Sequence, residues 1–443
     1  MFSLLIHPTF AKLFAAQVIA LLGMGLMTVA LGLLAYDLAG PRGGAVLGTA
    51  LAIKMIAYVG LAPLANAAAE NLPRKVILIG ADLLRASVAV ALPFIDAVSQ
   101  IYVLIFVLQA ASATFTPAFQ AVIPDILEDE ADYTRALSLS RLAYDLENLI
   151  SPALAGVLLL VMSYSNLFVG TVLGFLGSAA LVTLSSLPAR AAPERRRSFL
   201  DRLTRGGRIY RATPRLLGLL ALNLSAAAAG AFVIVDTVVI VRAGYAASEA
   251  DVAYALAAFG GGSMLAALIL PQLLNHVSDR AVMMTAGSLL ALLTLAHGLW
   301  LLVGGLMAWA GFLMAWAASG VLYSAVLTPS GRLLRKSSHP EDRPALFAAQ
   351  FALSHACWLL TYPLAGWVGE AFGMPAAMLL LGVLAALGVV VAAKVWPAAD
   401  RQDISHDHPD LPPDHPHLRP HGRAVHRHLF VIDDEHRVWP SHG

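Results

Sequence analysis

Twelve stretches of this chain are each long and apolar enough to cross roughly 30 Å of hydrocarbon as a helix, which takes about 20 residues. Their limits are 10–36, 45–68, 76–96, 100–123, 136–162, 166–187, 215–241, 251–274, 281–303, 306–328, 344–369 and 373–396 (spans one to twelve). Apolar residues make up 58% of the chain and Asp, Glu, Lys and Arg only 13%, with a mean hydropathy of +0.73. That balance excludes a soluble globular domain and predicts an all-α, polytopic membrane protein. The single cysteine, Cys357, excludes a disulfide framework and any cysteine-based zinc or iron–sulfur centre, and is expected to be a small packing residue. At the N-terminus, Lys12 precedes a long apolar run without a small-residue cleavage pattern, so the first span is expected to be retained rather than removed as a signal peptide.

The connectors set the orientation. Between spans six and seven stand Arg190, Arg195, Arg196, Arg197, Arg202, Arg205, Arg208 and Arg211, and after span ten Arg332, Arg335, Lys336 and Arg343. The opposite side holds little beyond Arg42 and Arg242. By the positive-inside rule both termini are expected in the cytoplasm, with the chain in the inner membrane. The basic connector beside a bilayer suggests topology and contact with anionic lipid rather than nucleic acid.

Residues 188–214 divide the chain into halves that repeat one another. Thr116-Pro117 is expected to end span four and Thr328-Pro329 span ten; Ser151-Pro152-Ala153-Leu154-Ala155-Gly156 lies in span five and Tyr362-Pro363-Leu364-Ala365-Gly366 in span eleven. The two proline offsets, 212 and 211, agree within one residue. The organisation expected is a bundle at 1–187, a basic cytoplasmic linker at 188–214, a second bundle at 215–396 and a polar tail at 397–443, with a pathway between two pseudo-symmetric six-helix bundles.

Gly60 through Lys75 (GLAPLANAAAENLPRK) resembles the signature loop of the major facilitator superfamily between spans two and three, with Glu70, Arg74 and Lys75 at its charged positions. The SPALAG stretch of span five is similar to the proline–glycine motif of antiporters in that superfamily. Over 1–396, segments such as AAQVIALLGMGLMTVALGLLAYDLAG resemble the branch containing nickel-resistance exporters, whose members often carry a His-rich C-terminus. The resemblance implies the major facilitator fold, alternating access, and a gating role for Glu70, Arg74 and Lys75.

Ionisable groups inside a bilayer are costly, so those in the spans mark candidate sites. On span five, Arg141, Tyr144, Asp145, Glu147, Asn148, Ser151 and Pro152 share one face. Arg141 and Asp145, four residues apart, can neutralise each other, whereas Glu147 has no basic neighbour on its own helix and is the better candidate for exchanging a proton or ligating a cation. Tyr144 and Asn148 would add neutral oxygens. His355 of span eleven stands opposite Tyr144 by the proline offset and offers an imidazole; His297 of span nine is the weaker histidine. Lys54 lies midway along span two and could neutralise a carboxylate when the site is empty. Asp236 of span seven and Asp37 of span one lie toward the outer end as cation attractors, while Asp82 and Arg85 are expected to be structural partners of the 70–75 loop.

The tail holds nine of the fourteen histidines: His406, His408, His415, His417, His421, His426, His428, His436 and His442. Three His-x-His pairs among aspartates and prolines suit Ni2+, Co2+, Zn2+ or Cu2+. Prolines are expected to keep 406–420 extended, and 424–439 to form a small hairpin of its own. No P-loop lysine motif and no catalytic serine or cysteine arrangement is present, so neither ATP-driven transport nor an enzyme is expected, and no cofactor is required.

The leading expectation is a monomeric secondary exporter of a divalent transition metal, Ni2+ above Co2+ or Fe2+, in exchange for protons. The alternatives are a major facilitator exporter of a siderophore, drug or other small organic molecule, and a non-transporting membrane metal sensor.

Overall fold

The computed structural model describes residues 2–61, 73–127, 154–187, 199–339, 342–398, 403–407, 425–433, 435, 436, 438 and 439, and single positions of span five (132, 136, 139, 140, 143, 147, 150 and 151). Ten helical runs among these residues are long and apolar enough to cross a membrane; one of them, Pro8–Gly60, contains spans one and two. Span five is helical at every described position from 132 to 159.

Local chemistry starts and stops these helices. Pro8 and Pro214 occupy first turns, where a missing N–H leaves no bond unmade. Gly373, at φ +86°, makes the turn between Arg343–Phe372 and Met374–Val395, a left-handed backbone that favours glycine. Thr328-Pro329 does interrupt span ten, dividing Trp309–Leu327 from Ser330–Lys336. Thr116-Pro117 does not end span four: the helix runs from Val98 through Pro117 to Ile126. Spans tolerate proline where neighbouring groups satisfy the freed carbonyl, so the two matched prolines differ in consequence.

The packing repeats at an offset of six spans. Span one lies along span six and span three on span six; span seven lies along span twelve and span nine on span twelve; two packs on four as eight packs on ten. Small residues permit these crossings. Thr171 Oγ1 donates to the Gly23 carbonyl at 2.8 Å, and a Cβ on Gly23 would stand 3.4 Å from the Gly174 Cα. Among the described residues the halves meet chiefly through spans two and eleven.

Asp82 and Arg85 are buried and pair with each other, while the first part of the 70–75 loop lies outside the described residues. The Arg85 guanidinium lies between the rings of Phe115, at 4.3 Å, and Phe175, at 4.6 Å, tying span three to spans four and six. Glu70 is outside the described residues. Lys75 donates to the Ser185 carbonyl at 2.9 Å.

The basic linker is more than a lipid contact. Its second part is a helix, Phe199–Ala212, in which Arg205 is buried and forms a two-pronged pair with Asp342, Nη2 to Oδ2 being 3.0 Å. The tail also departs from expectation. Val425–Leu429 (β2) pairs antiparallel with Asp403–Asp407 (β1), across residues 408–424, instead of with the Val438-Trp439 segment. Phe430, Val431 and Ile432 are buried, and Phe430 and Ile432 join the core formed by the linker helix and spans seven, eight, nine, ten and twelve. Burying three large apolar side chains against a bundle removes far more surface from water than an isolated two-stranded hairpin can.

Candidate functional site

The site lies where spans two and eleven bring the halves together. Lys54, half-buried, ends the α-helix Gly43–Ile56, which passes into a π-helical turn, Ala57–Leu61, carrying Tyr58. Lys54 Nζ is 5.7 Å from the Tyr58 ring centroid. Its charge interacts with that of Glu147 on span five, so the base missing from Glu147's own helix is supplied by another. Glu147 is half-buried beside Gly25 of span one: a Cβ on Gly25 would approach Glu147 Cγ to 3.6 Å and overlap the buried Ser151. Glycine at this position lets spans one and five close on the carboxylate.

Span eleven supplies a stripe of rings. Phe351, His355, Trp358 and Tyr362, spaced i, i+4, i+7 and i+11, share one helix face. His355 stacks on Phe351 with centroids 3.9 Å apart and meets the edge of Tyr58 at 5.5 Å; Trp358 lies 4.9 Å from Tyr362 and 6.3 Å from Tyr323 of span ten. The Tyr362 phenol is close enough to Glu147 and Tyr323 to interact electrostatically with both. His355 Nδ1 donates to the Phe351 carbonyl at 2.7 Å, so that whenever the ring is neutral Nε2 is its acceptor nitrogen. Gly230 of span seven faces this wall, since a Cβ there would stand 2.8 Å from Trp358 Cη2.

The structure therefore gathers Glu147, Lys54 and His355 into one neighbourhood with Tyr58, Trp358, Tyr362 and Tyr323. These four aromatics were not singled out from sequence, although Tyr58 follows Lys54 by one helical turn and Tyr362 precedes the span-eleven proline. Arg141, Tyr144, Asp145 and Asn148 lie outside the described residues. Asp37 is elsewhere, accepting from the Tyr164 hydroxyl at 2.6 Å. His297 is buried against Phe312 and Trp316 as a packing residue. Among residues whose side chains are described, no three or more His, Cys, Asp or Glu groups come together as a metal cluster.

The end bearing the Gly40–Arg42 turn is closed above this site. Gly44 and Gly366 meet backbone to backbone, a Cβ on Gly48 would stand 2.6 Å from the Tyr362 carbonyl, Trp367 Nε1 donates to Thr49 Oγ1 at 2.9 Å, and Arg42 pairs with Glu370 at 3.1 Å. Asp236 is wholly buried in this closure, and among the described residues neither of its carboxyl oxygens has a hydrogen-bond partner. A Cβ on Gly44 would come within 2.8 Å of Asp236 Oδ1, and one on Gly369 within 3.5 Å.

The opposite end carries the linker helix and the tail. Asp279 accepts from Lys336 Nζ at 2.6 Å and lies 3.1 Å from Arg332 Nε. Asp433 accepts from the His436 side chain at 2.8 Å and from the His436 backbone at 2.7 Å, and lies 3.3 Å from His339 Nε2. Burial alone would raise the Asp433 carboxyl, but the bonds and charge of His436 and the bond of His339 outweigh it and hold the group well below the usual carboxylate range. His436 is buried with its ring against Phe430 at 4.7 Å, so it acts as part of a latch and not as an open metal ligand. His406, His426 and His428 lie in the two strands; His408, His415, His417, His421 and His442 lie outside the described residues.

Comparison with known proteins places this geometry. Relatives include an MFS-type transporter, YfiS, of Bacillus subtilis, 27% identical over 63% of this chain and 67% of the relative. Macrolide efflux protein A of Streptococcus pyogenes is 25% identical, over 40% of this chain and 45% of its own length, so the chain spans less than half of that relative. The fold is similar to that of the nucleoside transporter NupG, with a TM-score of 0.66, 14% identity and coverage of 88% of this chain and 100% of the other. It is also similar to a D-xylose–proton symporter, at 0.63, 12%, 88% and 98%. The family model described as Major Facilitator Superfamily matches residues 13–303 and 219–430. With that match spanning both halves, the chain belongs to the major facilitator superfamily of multi-pass membrane transporters.

Proposed function

We propose that this transporter exports a divalent transition metal, Ni2+ first, from the cytoplasm by proton antiport, with both termini on the cytoplasmic side of the inner membrane. The observation that carries the cargo is the histidine-bearing tail held on the linker side by Phe430–Ile432, where it raises the local concentration of metal at the mouth of the path. Glu147 is the exchanging group. In the empty carrier Lys54 serves as its tethered cation; an incoming M2+ or proton replaces that interaction, and the halves rock about spans two and eleven. His355 Nε2 and the phenols of Tyr58 and Tyr362 are the neutral ligands within reach of such a route.

A second reading has a specific observation of its own. The stripe Phe351, Trp358, Tyr362 with Tyr58 and Tyr323 offers ring faces beside one carboxylate, chemistry that suits an organic cation, and a macrolide efflux protein is among the relatives. Purified protein in liposomes separates the two. Uptake of Ni2+, Co2+ or Fe2+ that follows an imposed pH gradient supports metal antiport; transport of organic cations without metal flux supports the second reading; metal binding without any flux leaves only a sensor.

A further inference from the structure

At the closed end one acid has lost all contact with solvent. Asp236 of span seven is 0% exposed, and among the described residues neither of its carboxyl oxygens has a hydrogen-bond partner. Its walls come from both halves: a Cβ on Gly44 of span two would stand 2.8 Å from Oδ1, and one on Gly369 of span eleven 3.5 Å. A gap that rejects a methyl group cannot admit a hydrated ion or a metal with its ligand shell. A proton is the cation that fits.

The charged and titratable groups around this end do not compensate the acid. Arg42, on the turn into span two, pairs with Glu370 of span eleven at 3.1 Å, and Arg242, on the turn after span seven, lies 5.7 Å from the Tyr36 ring centroid of span one. Asp37 of span one accepts from Tyr164 of span six, and Asp251 accepts from Ser248 at the start of span eight, where Glu249 adds negative charge and no counter-charge. His297 of span nine packs against Phe312 and Trp316 of span ten, and the Tyr245 hydroxyl donates to the Met307 carbonyl. Lys54 of span two and the Tyr362 phenol of span eleven interact with Glu147. An ionised Asp236 would thus have neither water nor a counter-charge, a state costly enough that the closed end holds the neutral acid.

A route for the proton lies beside it. A cavity of about 680 Å³ at the same end is lined by Val239, Gly369, Met374, Arg42 and Glu370. Gly369 is shared by that cavity and by the wall of Asp236, so moving span eleven away from span seven opens the carboxyl to the cavity.

We propose that Asp236 is a proton-binding site built into the gate: this end closes only over the protonated acid, and opening releases the proton to water in the cavity beside Gly369. One O–H bond forms at Asp236 on closing and breaks on opening. The cycle thereby gains a second proton-carrying group, separate from Glu147 and set at the gate instead of the cargo site. The proposal rests on the antiport reading only for which compartment receives the proton.

The test places spin labels at Asp96→Cys and Ala308→Cys, exposed on the two halves at this end, in a Cys357→Ala background, and reads their separation in detergent. The closed state holds one proton more than the open state, so raising the pH opens the gate. The open-to-closed ratio is expected to rise about tenfold per pH unit between about pH 5.5 and 8, where an aspartate in water is ionised. Asp236→Asn should stay closed with no slope, whereas Glu370→Gln, which removes the Arg42 pair, should open by a constant factor and keep the parental slope. A flat parent, a parental slope in Asp236→Asn, or a lost slope in Glu370→Gln overturns the site. Should Asp236→Asn fail to fold, the parent decides, isotope-labelled at its aspartate carboxyls: the infrared carbonyl stretch of an un-ionised aspartic acid should fall in step with the closed population, and a constant stretch overturns the proposal. Ni2+ flux driven by a pH gradient in liposomes is measured alongside. The pH slope without Ni2+ flux keeps the proton site and sinks the metal reading, and flux with a flat gate does the reverse.

Discussion

Glu147 and Asp236 are both carboxylic acids inside the bundle, and their surroundings are opposite. Glu147 is half-buried, with the charge of Lys54 and the phenol of Tyr362 in range. Asp236 is sealed at the closed end against Gly44 and Gly369, with no hydrogen-bond partner among the described residues. An acid with a movable cation beside it can trade that cation for cargo without leaving a bare charge. An acid walled in by backbone changes its solvation only when the wall opens, because an isolated carboxylate without water or a counter-charge is costly. The first arrangement suits exchange, and the second suits sensing whether the gate is shut.

The sharpest break of this contrast is Glu147→Gln, which keeps size and most hydrogen bonding while removing the charge. Protein level should stay near normal, and pH-driven metal efflux in liposomes should be abolished. Export at the parental rate with the parental pH dependence would falsify the assignment of exchange to Glu147. Lys54→Gln should impair both stability and flux, since Glu147 then lacks its cation; combining it with Glu147→Gln should recover thermal stability but not transport, with a coupling of about 0.5–3 kcal/mol in a double-mutant cycle.

At the closed end, Gly48→Val should hold the halves apart there by pressing a side chain on the Tyr362 carbonyl, an overpacking strain of about 1–3 kcal/mol. Labelling of a cysteine at Thr49 by a membrane-impermeant maleimide should rise. Asp236→Asn should act in the opposite sense, lowering that labelling, because closure no longer desolvates a charge; unchanged labelling would remove Asp236 from the gate. The smallest effect on transport is expected in the tail. Phe430→Ala, a loss of about 3–5 kcal/mol where a Phe is fully buried, or Asp433→Asn should speed proteolysis within 397–443 and lower metal tolerance only in part. Complete loss of flux in either correctly inserted variant would make the docked tail essential to the path.

Much of this was legible in the chain itself. Bilayer thickness sets a minimum length for each apolar run, so twelve crossings could be counted, and the paired proline motifs placed the repeat. Glu147, Lys54 and His355 were visible for the same reason, as polar groups in costly positions. Their company was not. Tyr58, Trp358 and Tyr362 resemble ordinary core residues until helix rotation puts them on the shared face, and the partner of Glu147 comes from a span some ninety residues earlier. Periodicity within the tail suggested a local hairpin at 424–439, but β2 found a distant strand because its continuation, Phe430–Ile432, had a better place to be buried.

The sequence by itself determined the membrane class, the two-half architecture and which side chains are costly enough to have a purpose, since these follow from hydrophobic length and the energetics of charge in lipid. Only the tertiary structure decided which of those groups come within range of one another: Lys54 electrostatically with Glu147, Arg205 in an ion pair with Asp342, and Asp236 beside Gly44 and Gly369 with no hydrogen-bond partner among the described residues. Such pairings depend on the rotation and register of separate elements, which are set by long-range packing and are invisible to any local pattern.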